Sequence, residues 1–185
     1  CIVNNGAYSA RMAEIAEYYH IPCVNLKFDS TGLPDLNVVK EALAKDGTIA
    51  VVATTHHETG TGVLNPVREI GEIAHDHGCI FIADTISTYG LLPIDIEKEN
   101  IDFCMSSAQK GLAGMTGVSW TVGNITEIEK SKDYPKRSYY CNLYMQYDFF
   151  QRVGEMHFTP PVQTIYALRQ AIEEYREEGE TARYE

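Results

Sequence analysis

Cations are scarce in this chain: 15 Lys and Arg stand against 26 Asp and Glu, a formal charge of −11. A surface that replaces the counterions of a phosphate backbone needs clustered Lys and Arg, so nucleic acid is not an expected partner. Long apolar runs are missing as well. Stretches such as Ile49-Ala50-Val51-Val52-Ala53 fall far short of the roughly 20 residues of a membrane-spanning helix, so no membrane association is expected. CxxC spacing is absent, and five cysteines (Cys1, Cys23, Cys79, Cys104 and Cys141) cannot all pair within one chain. Reduced thiols in a cytoplasmic protein follow, rather than a disulfide framework or a zinc site. Cys23, Cys79 and Cys104 lie in or beside apolar β-like runs and read as small core residues. Cys141, beside Tyr139, Tyr140 and Leu143, reads as packed too.

What is present is the composition of an ordinary globular protein, with 185 residues enough for one well-buried domain. The apolar period alternates between helix-like, over 10–19, 35–45, 66–77, 142–153 and 162–178, and strand-like, over 23–28, 49–54, 79–83, 103–106 and 118–122. Ser30-Thr31-Gly32, Asp46-Gly47 and Asp76-His77-Gly78 punctuate the boundaries, and Pro66 fits the first turn of its helix. The alternation predicts an α/β fold, a three-layer sandwich with a mostly parallel sheet. Residues 49–83 read as one βαβ unit, whose right-handed crossover brings the C-terminal ends of both strands to one edge. Ile2-Val3 reads as the end of a strand with no turn before it, and the helical run 162–185 as one that stops without a capping glycine or proline. Residues 1–185 are therefore expected to be an internal fragment.

Two residues stand just past strand-like segments, where an open α/β sheet forms its ligand crevice. Asp84 ends Cys79-Ile80-Phe81-Ile82-Ala83, and Lys110 ends Ser106-Ser107-Ala108-Gln109-Lys110. Alone, each has a plain reading: Asp84 as a turn cap among Thr85, Ser87 and Thr88, Lys110 as a surface lysine. Together they are the pair that pyridoxal phosphate requires, an amine to hold the aldehyde and a carboxylate to keep the pyridine nitrogen protonated. A buried carboxylate needs a cation or donors nearby, and an amine that attacks carbonyl groups must be partly neutral.

The densest polar cluster, His56-His57-Glu58-Thr59-Gly60-Thr61-Gly62, supports three readings. Two histidines and a glutamate suggest a metal, although neighbours on an extended segment point to opposite faces. Glycines and hydroxyls suggest a phosphate loop, without the lysine such loops use. The third reading is the lip of a cofactor crevice, with the Thr59 hydroxyl beside the ring.

The segments Asn5-Gly6-Ala7-Tyr8, 56–66, Ala83-Asp84-Thr85-Ile86-Ser87, Ser106-Ser107-Ala108-Gln109-Lys110 and Phe158-Thr159-Pro160-Pro161 occur in the order and spacing of the class V aminotransferases of PLP fold type I. The chain resembles that family over essentially its whole length, most of all the branch that acts on 2-aminoethylphosphonate and pyruvate, and more distantly the alanine and serine:glyoxylate branches. The resemblance implies the PLP-binding large domain without an N-terminal segment or a C-terminal small domain. It implies pyridoxal 5′-phosphate as cofactor, an amino donor and a keto-acid acceptor as substrates, and no metal. Lys110 would hold the aldehyde and move the reaction's proton, and Asp84 would pair with the ring nitrogen. Tyr8 and Ile86 would pack on opposite ring faces, Thr59 would touch the ring edge, and Gln109 would reach the phosphate. Thr159 would reach the phosphate of a neighbouring subunit, which implies a homodimer with shared active sites. The rest of the phosphate cup and the arginine that anchors the substrate's acidic group would lie outside this span. Competing expectations are a lyase or cysteine desulfurase on the same scaffold, for which a mobile cysteine is needed, and a non-catalytic dimerisation module using the tyrosines at 134, 139, 140, 144 and 147.

Overall fold

The computed structural model describes residues 1–184. Its elements run β1 (Ile2–Asn4), α1 (Ala7–Tyr18), β2 (Asn25–Lys27), α2 (Leu36–Lys45), β3 (Val51–Thr55), β4 (His57–Glu58), β5 (Val63–Leu64), α3 (Val67–Asp76), β6 (Ile80–Asp84), β7 (Phe103–Ser107), β8 (Ser119–Gly123), α4 (Ile125–Lys130), α5 (Leu143–Val153), α6 (Val162–Glu178) and α7 (Glu180–Tyr184). Six strands form one sheet in the order β2-β1-β3-β6-β7-β8. The first five are parallel, and β8 runs antiparallel along β7. The last residues of β1, β3, β6 and β7, namely Asn4, Thr55, Asp84 and Ser107, therefore lie along one edge.

The βαβ unit over 49–83 is confirmed in register, with Val51 opposite Ile80 and Thr55 opposite Asp84. Its helix, α3, turns Val67, Ile70, Ile73 and Ala74 inward at helical spacing and leaves Arg68, Glu69 and Glu72 in water. Gly78, at φ +70°, ends it in the left-handed region, donating to the His75 carbonyl while Cys79 donates to that of Ala74. Asp35 starts α2 by accepting from the Asn37 N–H at 2.9 Å.

Alternation along the strands divides the sheet into two faces. Val3, Val52, Phe81, Ala83 and Cys104 point to the one that α2 and α3 cover, where they form the core with Val39, Leu43, Ile70 and Ile73. Ile2, Ala53, Ile82 and Asp84 point to the other, on which α1 sits over β1 and β3. The sheet lies between helical layers, as the alternating period predicts.

Several boundaries differ from the sequence reading. The strand expected over 23–28 is only Asn25–Lys27, because β2 is an edge strand paired on one side. Cys23 is consequently exposed rather than core, and so is Cys141; Cys79 and Cys104 are buried as expected. Pro66 is the N-cap of α3, one position before its first turn. The last helical run does have a glycine break: Gly179, at φ +88°, ends α6 before α7 begins. Glu185 lies outside the described residues.

Candidate active site

Five of the seven residues singled out at the sequence level meet at the strand-end edge. Tyr8, Thr59, Asp84, Ile86 and Lys110 line one pocket of about 50 Å³, with Thr55, His57 and Ser87 completing its wall. They arrive from four segments. Tyr8 opens α1 after β1, Thr59 follows β4, Asp84 and Ile86 straddle the end of β6, and Lys110 lies three residues beyond β7. Gln109 is exposed and does not line this pocket; Thr159 is exposed in the segment before α6 and does not line it either.

Asp84 takes the turn-cap role its sequence allowed and also lines the pocket. Its Oδ1 accepts from the Ile86 N–H at 2.9 Å, fixing the turn after β6. The carboxyl remains half-buried, and burial pushes its pKa up. The Ile86 N–H opposes that shift, the Glu58 carboxylate adds to it, and the Lys110 ammonium opposes it. A carboxyl placed this way gains from a cation brought into the pocket. The Lys110 side chain is itself exposed, at the mouth of the site. The turn that carries it is tight: a Cβ on Gly111 would come within 2.3 Å of the Tyr89 carbonyl oxygen, so the residue after Lys110 has to be glycine.

The polar cluster at 56–62 resolves into separate duties. His56 is buried, its Nδ1 3.0 Å from the Thr88 hydroxyl, and burial with His57 alongside lowers its pKa to about 4. His57 faces the pocket, with Nδ1 3.3 Å from Ser87 Oγ. Glu58 is fully committed to α1. Its Oε1 accepts from the Ser9 N–H at 2.8 Å and the Ser9 hydroxyl at 2.5 Å, and its Oε2 from the Tyr8 N–H at 3.1 Å. The two histidines and Glu58 thus face three different partners, which favours the crevice-lip reading over the metal one.

Sequence reasoning missed the ties behind this wall. Asn5 and Asn65 exchange side-chain amide hydrogen bonds of 2.7 and 3.0 Å, and Asn65 also donates to the Thr55 carbonyl at 2.8 Å. The two asparagines lie in Asn5-Gly6-Ala7-Tyr8 and Leu64-Asn65-Pro66, and the available signal was an amide beside each of two turns.

The chemistry of the donor set fits a phosphorylated pyridine aldehyde, although a cleft of about 50 Å³ must open to take the ring. The donor set pairs an amine with a half-buried carboxylate across a pocket that has an aromatic ring and an aliphatic side chain in its walls. Thr55 Oγ1, on the pocket wall, is buried without a hydrogen-bond partner. A buried hydroxyl without a partner is costly, and a polar ligand in the pocket would satisfy it.

Residues 2–185 match the Aminotransferase class-V family. The 2-aminoethylphosphonate–pyruvate transaminase of Vibrio vulnificus (strain CMCP6) is 41% identical over 179 residues, covering 96% of this chain and 48% of that protein. Its counterpart from Lysinibacillus sphaericus is 37% identical, covering 100% of this chain and 50% of that protein. Among solved structures, alanine–glyoxylate aminotransferase from Nostoc sp. superposes with a TM-score of 0.89 at 25% identity, over 99% of this chain and 49% of that one. The chain spans about half the length of the curated relatives it matches. A cysteine desulfurase from Thermococcus onnurineus and a NifS-like protein from Rickettsia africae, each 20% identical, share the fold, and Cys141 does not line the pocket. The convergent pocket, the five segments in register and the match across nearly every residue lead to one assignment: this chain belongs to the class V aminotransferase family.

Proposed function

We propose that the protein is a pyridoxal phosphate-dependent aminotransferase that moves the amino group of 2-aminoethylphosphonate to pyruvate, giving phosphonoacetaldehyde and alanine. Residues 1–185 would supply its PLP-binding large domain. The observation that carries the reading is the convergence of Lys110 and Asp84, from strands β7 and β6, on one pocket. The choice of donor and acceptor rests on the transaminases of Vibrio vulnificus and Lysinibacillus sphaericus.

When bound, the cofactor supplies an aldehyde that captures the amino group and a ring that accepts electrons. The Lys110 amine would hold that aldehyde at rest and, once displaced, move a proton between the donor's Cα and the cofactor's C4′. Asp84 would keep a proton on the ring nitrogen, and the cation so formed offsets the cost of its burial. Tyr8 and Ile86 would fix the ring plane from opposite faces. The Thr59 hydroxyl would meet the ring edge, and Gln109 would turn from solvent to the phosphate.

Thr159, exposed and apart from this pocket, would serve a second subunit's phosphate in a homodimer with shared sites. Support for such a surface is the exposed aromatic patch of Tyr139 and Tyr140, both packed on Phe158 next to Thr159. Five unpaired thiols fit a cytoplasmic setting, and no helix among the described residues is long and apolar enough to cross a membrane.

The test is spectroscopic and chemical. The purified protein should show a visible band with pyridoxal phosphate, and Lys110→Ala should lose it together with essentially all turnover. Alanine should form from 2-aminoethylphosphonate and pyruvate. Turnover with alanine or serine and glyoxylate instead would move the assignment to the branch represented by the Nostoc structure. Absence of the band in the unaltered protein would end it.

A further inference from the structure

Glu58 is a buried carboxylate with no place in the chemistry just described, and its three hydrogen bonds all go to the start of α1. Four unpaired N–H groups open any α-helix and are usually capped from within the same segment. Here the residue before α1 is Gly6, which has no side chain to cap with. The acceptor comes instead from β4, 49 residues further along, at the positive end of the helix dipole where a carboxylate is favoured.

The fit is close on both sides. A Cβ on Gly6 would lie 2.4 Å from Glu58 Cδ, so glycine at that position makes room for the carboxylate. The Ser9 hydroxyl donates to Glu58 and accepts from the N–H groups of Asn5 and Gly6, both at 3.2 Å. One carboxylate thereby fixes the backbone on either side of Tyr8, whose ring lines the pocket. A shift of Glu58 moves the start of α1, and Tyr8 with it.

We propose that Glu58 is a positioning residue that anchors the start of α1 and with it the Tyr8 side chain at the pocket wall, where a planar cofactor ring would pack against it; this rests on the aminotransferase reading. Glu58 acts through the Tyr8 and Ser9 amides and touches no reacting atom. Its amide isostere is a sharp probe, because in Glu58→Gln the Nε2 hydrogens would face the Tyr8 N–H, donor against donor.

The experiment has a cofactor-free arm and a cofactor arm. In the cofactor-free protein, Glu58→Gln should speed hydrogen exchange at the Tyr8 and Ser9 amides at least tenfold relative to amides in the middle of α3. Unchanged exchange there overturns the clamp whatever the cofactor does. With pyridoxal phosphate, Glu58→Gln should weaken binding about 10- to 100-fold, as for loss of a hydrogen bond to a charged group, and shift the visible band. In a Tyr8→Leu background the same change should add almost nothing, because the effect runs through that ring. Full additivity of the two losses, or an unchanged band and affinity in Glu58→Gln, overturns the proposal. Ser9→Ala, which removes one donor and no charge, should give a smaller loss in the same direction and serves if Glu58→Gln does not fold. An unaltered protein without any visible band would instead retire the aminotransferase reading, and the exchange arm would still decide whether Glu58 holds the Tyr8 amide.

Discussion

His56 shows what burial does to a single titrating group. Its ring is buried beside Thr88 and next to His57, and its pKa falls from 6.5 to about 4. The neutral imidazole is the folded state's form, so the stability it carries is complete above pH 6.5 and is lost as pH falls through about 4. A displacement from 6.5 to about 4 corresponds to about 3 kcal/mol. Thermal midpoints taken between pH 7 and pH 4 should drop steeply for the unaltered protein and less steeply for His56→Gln, which cannot gain a proton. Parallel pH profiles for the two proteins would show that other groups carry the acid transition. Residue roles of this kind were partly legible. Asp84 and Lys110 could be picked out because each stands at or just past a strand-like segment, and strand ends on one edge converge by topology; Tyr8, Thr59 and Ile86 were marked by the family resemblance. Glu58 could not be picked out, since its partners are 49 and 50 residues away, and no local pattern marks a cap that arrives from another element.

Elements were easier to place than to bound. The helical period of 66–77 and the alternation of 79–83 are set by one buried face, and the structure keeps both within a residue or two. The start of α1 was expected at Ala10 and is Ala7. A carboxylate from β4 supplies the cap that Gly6 lacks, which lengthens the helix by most of a turn and brings Tyr8 into it. The short α4 had no apolar stripe to announce it and rests on Asn124, whose side chain accepts from the Thr126 N–H at 3.0 Å. Close packing between elements gives a direct test in α3. A Cβ on Gly71 would stand 2.8 Å from the carbonyl oxygens of Glu99 and Asn100, in the segment leading into β7. Gly71→Ala gains about 1 kcal/mol in helix propensity, but overpacking against backbone costs about 1–3 kcal/mol because a main chain cannot swing aside. The urea midpoint should therefore fall, by roughly 1 kcal/mol in stability at an unchanged slope. A rise in the midpoint would mean that the 99–100 segment yields freely.

At the scale of the whole molecule, the sheet separates what holds the fold from what does the chemistry. Phe81 and Asp84 belong to the same strand, β6, but point to opposite faces: Phe81 is fully buried beneath α2 and α3, while Asp84 closes the strand at the pocket. Core and site thus share a backbone and no side-chain contact is needed between them. Phe81→Ala should cost about 3–5 kcal/mol, the usual loss for an aromatic side chain in a packed interior. That is a large part of the 5–15 kcal/mol that holds an ordinary domain. Lys110→Ala should do the opposite, since an exposed side chain at the crevice mouth contributes little packing. Urea unfolding read beside the cofactor's visible band distinguishes the two: Phe81→Ala lowers the midpoint and keeps the band per folded molecule, whereas Lys110→Ala keeps the midpoint and loses the band. If the folded fraction of Phe81→Ala also lost the band, the edge of the sheet could not hold its geometry independently of the layer beneath it. The loops at 5–8, 56–62, 84–87 and 107–111 would then have to be treated as one cooperative unit with the core.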